Sequence, residues 1–239
     1  EWGDLQIVFA TTQGDVRRNR LSDFTNVRSN GKIAMKLPEG VELVNARICS
    51  EDDDVMLTTN SGRAIRFAST DLRVMNSRAS TGVRGIRLTG DDMVVSMSVI
   101  RHFEATPEER AAYLKMRRAL AGVTDEEAGE DDVPADPNFS QERYEEMAAV
   151  ENLILTITRG GSGKLSSSHD YPVRGRGGQG VMAMDKAMRG GKLVASLRSH
   201  VPNPGFPVAN WSKSLSPVAQ VGGAGAVDLG RAARRHRDA

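Results

Sequence analysis

Three stretches of the chain hold residue types that can do chemistry, and each fails on spacing or context. Gly175-Arg-Gly-Gly-Gln-Gly180 matches the glycine pattern that cradles a dinucleotide pyrophosphate. That chemistry needs a strand before the glycines and a helix N-terminus after them. Here Tyr171-Pro172 precedes and a short apolar run, Val181-Met-Ala-Met184, follows. Gly160-Gly-Ser-Gly-Lys164 suggests a phosphate loop, but Thr158 stands where the leading Gly belongs and Leu165 where Ser or Thr must follow the Lys. Ser166-Ser-Ser-His169-Asp170 contains the types of a nucleophilic triad. Neighbours along a strand point to opposite faces and cannot relay a proton. The four histidines (His102, His169, His200, His236) have no metal-ligand spacing. No catalytic constellation or metal site is expected.

Charge is the more informative chemistry. After one set of glycines come Arg17, Arg18 and Arg20, then Arg63 and Arg66, then Lys164. Loops before a second set carry Arg28, then Arg73 and Arg78, then Arg174 and Arg176. The stretches beyond it carry Lys32 and Lys36, then Arg84 and Arg87, then Lys186. One such residue is a solvated surface charge; the same set in three successive units predicts a basic rim. Lys and Arg along a rim suit a polyanion gripped at its backbone. Aromatic residues are only 5% of the chain, which disfavours stacking on single strands and points to bent duplex.

A repeat must position these charges. The segments Leu5–Ile48, Asp54–Ile100 and Asn152–Arg198 share one frame. Each opens on an apolar strand-like run and turns at Gly14, Gly62 or Gly161, as a hairpin requires. Nine residues on stands Asp23, Asp71 or Asp170, followed by Phe24, Leu72 or Tyr171. A second glycine (Gly31, Gly82, Gly180) opens a further strand: Lys32–Leu37, Val83–Leu88 or Val181–Met184. A third (Gly40, Gly90, Gly191) turns into a last one, beginning at Val41, Met93 or Leu193. The turns lie 48 residues apart, and 51 once an insert is set aside. About four strands per period near 50 marks propeller-like blades. The expected organisation is blades over 1–50, 51–102 and 151–199, an insertion at 103–150 and a divergent tail at 200–239.

Net charge is +1, but 103–150 alone carries 13 acids against 5 bases. Within it, Thr106-Pro107-Glu108-Glu109 is a helix start with a capping box. Tyr113, Met116 and Leu120 follow at helical spacing, and Ser140–Val150 reads as a second helix with Tyr144, Met147 and Ala148 on one side. The insert is expected to be a loose acidic spacer, the alternative being a mimic that competes with DNA for the rim. The tail crowds Pro202, Pro204, Pro207 and Pro217 and loses the repeat, so it is expected to be disordered. Cys49 is the only cysteine, which excludes disulfides and a thiolate zinc site. No apolar run reaches 18 residues and Glu1-Trp2-Gly3-Asp4 does not resemble a signal peptide, so no membrane contact and a cytoplasmic, nucleoid-associated location are expected.

The strings Phe9-Ala-Thr-Thr-Gln-Gly-Asp-Val-Arg-Arg18, Arg28-Ser-Asn-Gly-Lys-Ile-Ala-Met-Lys-Leu37 and Thr81-Gly-Val-Arg-Gly-Ile-Arg-Leu88, with Asp170-Tyr-Pro172 and Gly180-Val181, resemble the C-terminal DNA-wrapping domain of the DNA gyrase A protein. The corresponding domain of topoisomerase IV is the close relative. The resemblance covers about 5–198, outside the insert. It implies an all-β, propeller-like β-pinwheel, about three of six blades, with strands shared between neighbours. It also implies a rim that wraps double-stranded DNA in support of ATP-dependent negative supercoiling.

By the same resemblance, catalysis lies elsewhere: DNA cleavage in the N-terminal part of gyrase A, and ATP with Mg in gyrase B. No cofactor is then expected in this chain, and none of Tyr113, Tyr144 or Tyr171 is the cleaving tyrosine. The implied partners are DNA, gyrase B and the N-terminal part of gyrase A, in a complex of two copies of each protein. The family's Gln-basic-Arg-Gly-Gly-basic-Gly box has no intact copy; Arg174-Gly-Arg-Gly-Gly-Gln-Gly180 keeps only Arg176, Gly177, Gly178 and Gly180 of its positions. A protein-docking propeller is the alternative of another class, which would present aromatic hot spots on its rim.

Overall fold

A computed structural model describes residues 3–25, 29–77, 80–120, 135–184 and 191–198. Each unit begins with an antiparallel hairpin: β1 (Gln6–Thr11) with β2 (Asp15–Arg20), β4 (Asp53–Thr59) with β5 (Arg63–Ala68), and β8 (Leu153–Thr158) with β9 (Gly163–Ser167). Gly14, Gly62 and Gly161 take φ values of +82°, +90° and +83° at the turns, which an L side chain resists. Single 3-10 turns follow at Leu21–Phe24, Ser69–Asp71 and Ser168–Asp170, so the three recurring aspartates all sit in a turn that redirects the chain.

The last strand of each unit, β3 (Leu43–Cys49), β7 (Val94–Arg101) or β11 (Leu193–Arg198), returns to pair with the first strand of its own hairpin. The remaining segment leaves its own unit. The short β6 (Val83–Arg84) pairs with β2 of the first unit, and β10 (Val181–Met182) with β5 of the second. The sheet orders are therefore β3-β1-β2-β6, β10-β5-β4-β7 and β11-β8-β9.

This exchange makes the glycines before β6 and β10 obligatory. A Cβ on Gly82 would lie 2.4 Å from the Val16 carbonyl oxygen, and one on Gly180 2.2 Å from that of Ala64. The expected strand at Lys32–Leu37 does not form. Among the described residues no hairpin edge lies beside it to supply ladder hydrogen bonds, and a Cβ added at Gly31 would meet nothing within 4 Å.

The core lies between consecutive sheets. Val8, Val16, Val55, Leu57, Phe67, Ile86 and Met97 join the first to the second, and Met56, Ile100, Ile154, Tyr171 and Ala183 the second to the third. β2 and β5 are consequently covered on both faces over four successive residues.

The insert is helical as expected, with α1 (Pro107–Leu120) and α2 (Gln141–Val150). Residues 121–134 and the tail from 199 lie outside the described residues. Thr106 and Glu109 form the expected reciprocal cap, and Ser140 Oγ accepts from Arg143 N–H. The described helices are not loose. Tyr113 stacks on Tyr144 with centroids 5.0 Å apart and meets His169 edge-on at 4.8 Å. Met147 is buried, and its carbonyl is 2.9 Å from His169 Nε2. Arg143 Nε reaches Glu109 at 2.8 Å, and its guanidinium lies 4.7 Å above the Phe103 ring. Of the residues grouped by helical spacing, Tyr113 is buried and Leu120 is exposed; Ala112, not in that group, is buried beside Tyr113.

Candidate nucleic-acid interface

The triad-like Ser166–Asp170 stretch spends its polar atoms on its own turn and on the core around it, not on one another as a relay. His169 N–H donates to Ser167 Oγ at 3.1 Å, and Asp170 Oδ2 accepts from Ser167 N–H at 2.9 Å. His169 is buried, and burial chiefly pushes its pKa down to about 4, so it is neutral at pH 7. Gly175–Gly180 is a loop leading into β10, not a strand-to-helix turn. Tyr171 hydroxyl bonds Ser166 Oγ at 2.8 Å inside the core.

The basic residues divide into two populations. Arg17, Arg18 and Arg66 are 0%, 5% and 3% exposed, which corrects the expectation that they meet a ligand at the rim. Arg17 lies 5.5 Å from the Phe9 ring centroid; its guanidinium donates to Ser80 O at 2.8 Å and also to Ala34 O. Arg66 Nε donates to Asp54 at 2.7 Å, while Nη1 and Nη2 reach the carbonyls of Ser168 at 2.9 Å and Arg101 at 3.1 Å. The other Asp54 oxygen is 2.7 Å from His102 Nδ1. Burial pushes the Arg66 guanidinium below its ordinary range, against the pull of Asp54. Arg18 and Arg66 are the same position of successive units, each in a parallel bridge to the next unit, at Val74 and Val173. They are ties between blades.

Arg20, Lys32, Lys36, Arg73, Arg84, Arg87, Arg174 and Arg176 are exposed, and Arg63 and Lys164 half-buried. Lys32 Nζ donates to the Asp23 carbonyl at 2.8 Å. Arg28, Arg78 and Lys186 lie outside the described residues.

Three of the exposed bases converge where the third unit's loop crosses the second unit's exchanged segment. Gly177 N–H donates to Gly85 O at 2.7 Å and Arg87 N–H to Gly178 O at 2.8 Å. Arg176 then donates through Nη1 to Arg84 O at 3.1 Å and through Nε to Asp71 O at 3.2 Å. Arg84, Arg87 and Arg176 are thus held on one strip by backbone. Arg84 also lies opposite Asp15 in the β2–β6 ladder, where burial raises the Asp15 pKa and the Arg84 charge opposes that shift.

The recurrence is by loop, not by position. Counted from the second glycine, Arg84 corresponds to Ile33 and Met182, and Arg87 to Lys36 and Asp185. Sequence reasoning also missed Arg110, because it sits in the acidic insert. After burial, the charges of Arg66 and Arg174 hold its pKa down, so α1 brings a cation against the third unit's basic loop.

The DNA gyrase C-terminal domain, a β-propeller family, matches residues 6–50, 53–101 and 152–198 and skips the helical insert. The chain is 49% identical over 208 residues to the DNA gyrase A protein of Granulibacter bethesdensis, covering 82% of this chain and 22% of that protein. It is 43% identical over 217 residues to the DNA gyrase A protein of Rickettsia bellii, covering 90% and 24%. The chain thus spans less than a quarter of the length of these relatives. Among solved structures, a DNA gyrase A C-terminal domain superposes with a TM-score of 0.54 at 20% identity, covering 82% of this chain and 50% of that one. The C-terminal domain of a DNA topoisomerase IV gives 0.56 at 15% identity, covering 82% and 47%. The solved structures are likenesses in fold; on the family match and the sequence relatives, the chain belongs to the DNA gyrase C-terminal domain family.

Proposed function

We propose that this chain binds double-stranded DNA through its phosphates, as the wrapping portion of a gyrase A protein. The observation that carries the reading is the strip of Arg84, Arg87 and Arg176, fixed by backbone hydrogen bonds across two units and open to solvent. The held backbone presents the three arginines together, with the Arg176 guanidinium itself set on the Arg84 and Asp71 carbonyls, and arginines so placed contact phosphate without reading bases. Exposed Arg73 and Arg174 extend the track on its flanks, and Lys32 and Lys36 on the first unit.

On this reading the chain supplies grip and path. DNA cleavage belongs to the N-terminal part of gyrase A, and ATP hydrolysis with its Mg to gyrase B, in a bacterial complex on the nucleoid. Bending duplex along a curved rim would support negative supercoiling. Curated relatives that are gyrase A proteins, at up to 49% identity, favour this over the topoisomerase IV counterpart.

The test is fluorescence anisotropy on a random-sequence duplex over a salt series. Binding is expected to fall linearly on a log–log plot. The Arg84→Ala/Arg87→Ala variant should weaken it for all sequences alike and flatten the slope by roughly one unit per lost contact. A loss confined to particular sequences, or no change, overturns the assignment.

A further inference from the structure

We infer that the recess between the helical insert and the second and third units is a binding site for a small free phosphate compound, with Arg110 as its principal donor. The recess encloses about 500 Å³, within the range of small-molecule sites. The stretch after β7 supplies His102 and Glu104 to its walls, α1 supplies Arg110 and α2 Arg143, while β5 supplies Arg66 and the third unit Tyr171. None of Arg84, Arg87 and Arg176 lines it, so it is separate from the strip proposed to meet DNA.

The charges around the recess do not cancel. Arg143 is answered by Glu109 and Glu146, each at 2.8 Å, and Arg66 by Asp54 at 2.7 Å. Arg110 has no such match: among the described residues its guanidinium forms no salt bridge and one hydrogen bond, from Nη1 to Ala105 O at 3.3 Å. A guanidinium carries five N–H donors, so most of the Arg110 fork is uncommitted. Its surroundings push the same way. After burial, the charges of Arg66 and Arg174 each depress the Arg110 pKa more than Glu108 restores it. A half-buried cation with spare donors, set among cations, is complementary to an oxyanion, and the guanidinium fork takes phosphate oxygens in pairs. A duplex is too broad to enter a recess walled by Arg66 and Tyr171, each 3% exposed, so the phosphate belongs to a free compound. Glu104, 93% exposed and 3.9 Å from His102 Nε2, holds a carboxylate at the mouth that opposes any anion.

Pyrophosphate is the probe, titrated calorimetrically into the whole chain in magnesium-free buffer. Saturable binding of one per chain is expected. Arg110→Ala should weaken it by roughly tenfold, the worth of a charge-assisted hydrogen bond. Glu104→Gln should tighten it about threefold, because an exposed like charge is removed. That second variant keeps the test independent of folding, since a misfolded chain does not gain affinity. An excess of random-sequence duplex should leave the pyrophosphate in place. Displacement by duplex would put Arg110 on the DNA track and overturns the proposal. So does a lack of saturable binding at millimolar pyrophosphate, an Arg110→Ala variant that melts and binds as the parent does, or an affinity that Glu104→Gln leaves unchanged or lowers.

Discussion

At the scale of a residue, an arginine's neighbours decide whether it serves the fold or a ligand. Asp54 is fully buried, and Arg66 answers its charge while also bonding two carbonyls of other elements. Removing one partner of such a pair leaves the other charge uncompensated, so Arg66→Ala should lower stability by about 3–5 kcal/mol. Chemical denaturation checks this, with exposed Arg84→Ala as the contrast, expected to change stability by less than about 0.5 kcal/mol.

His169 makes a second prediction at this scale. Its folded pKa of about 4 lies below the ordinary 6.5, so the unfolded chain binds the proton more readily. The neutral ring's contribution is complete above pH 6.5 and is lost as pH falls towards 4. The shift corresponds to about 3 kcal/mol. Thermal melts at pH 7 and pH 5 should show a larger drop for the parent than for His169→Gln, which has no imidazole to titrate. Equal drops would show that the ring does not govern the acid sensitivity of this joint.

At the scale of elements, the glycine frame was plain in the sequence and the burial of the basic residues was not. Glycines at the hairpin turns, aspartates nine residues on and the two later glycines each sit where the repeat demands. Each constrains the backbone locally, which is what sequence can report. Arg17 and Arg18 are adjacent on β2, and alternation would put at least one in solvent. Both are buried because the loop before β6, arriving from the next unit, closes over them: Arg17 donates to Ser80 O, and Arg18 bridges to Val74. Nothing near positions 17 and 18 encodes that cover. One signal was available: Asp54 in the otherwise apolar Val55–Leu57 strand context implies a buried cation opposite it. The docking of α1 and α2 was half legible, since Tyr113 and Met147 were recognised as inward-facing but their partner, His169, was not.

The exchanged segments yield the element-scale prediction. Gly82→Ala and Gly180→Ala bring a Cβ onto backbone oxygens and also force a side chain to positive φ, +101° and +70°. The φ penalty alone is about 1 kcal/mol, and backbone cannot yield as a flexible side chain can. Each variant should release its strand, raising hydrogen exchange at Val83–Gly85 or Val181–Ala183 respectively while the hairpins stay protected. Protection that persists in both variants would mean the strands are held by something other than this close approach.

At the scale of the molecule, a strip of exposed arginines and an insert of net −8 share one small body. α1 packs against the third unit's turn, and Arg110 lies within reach of the Arg66 and Arg174 charges, so the insert is anchored beside the proposed DNA track. With DNA on that proposed track the insert's acids would act on it through space, an action screened over a Debye length of about 10 Å at 0.1 M salt. Neutralising the run Asp125, Glu126, Glu127, Glu130, Asp131 and Asp132 to Asn and Gln leaves α1 and α2 untouched. The variant should bind duplex more tightly at low salt and converge on the parent as salt rises. A gain that survives high salt would instead mark a direct contact between the acids and the rim, as in a mimic that must be displaced. Equal affinity at every salt concentration would show that the insert serves the third unit's stability and leaves the DNA track alone.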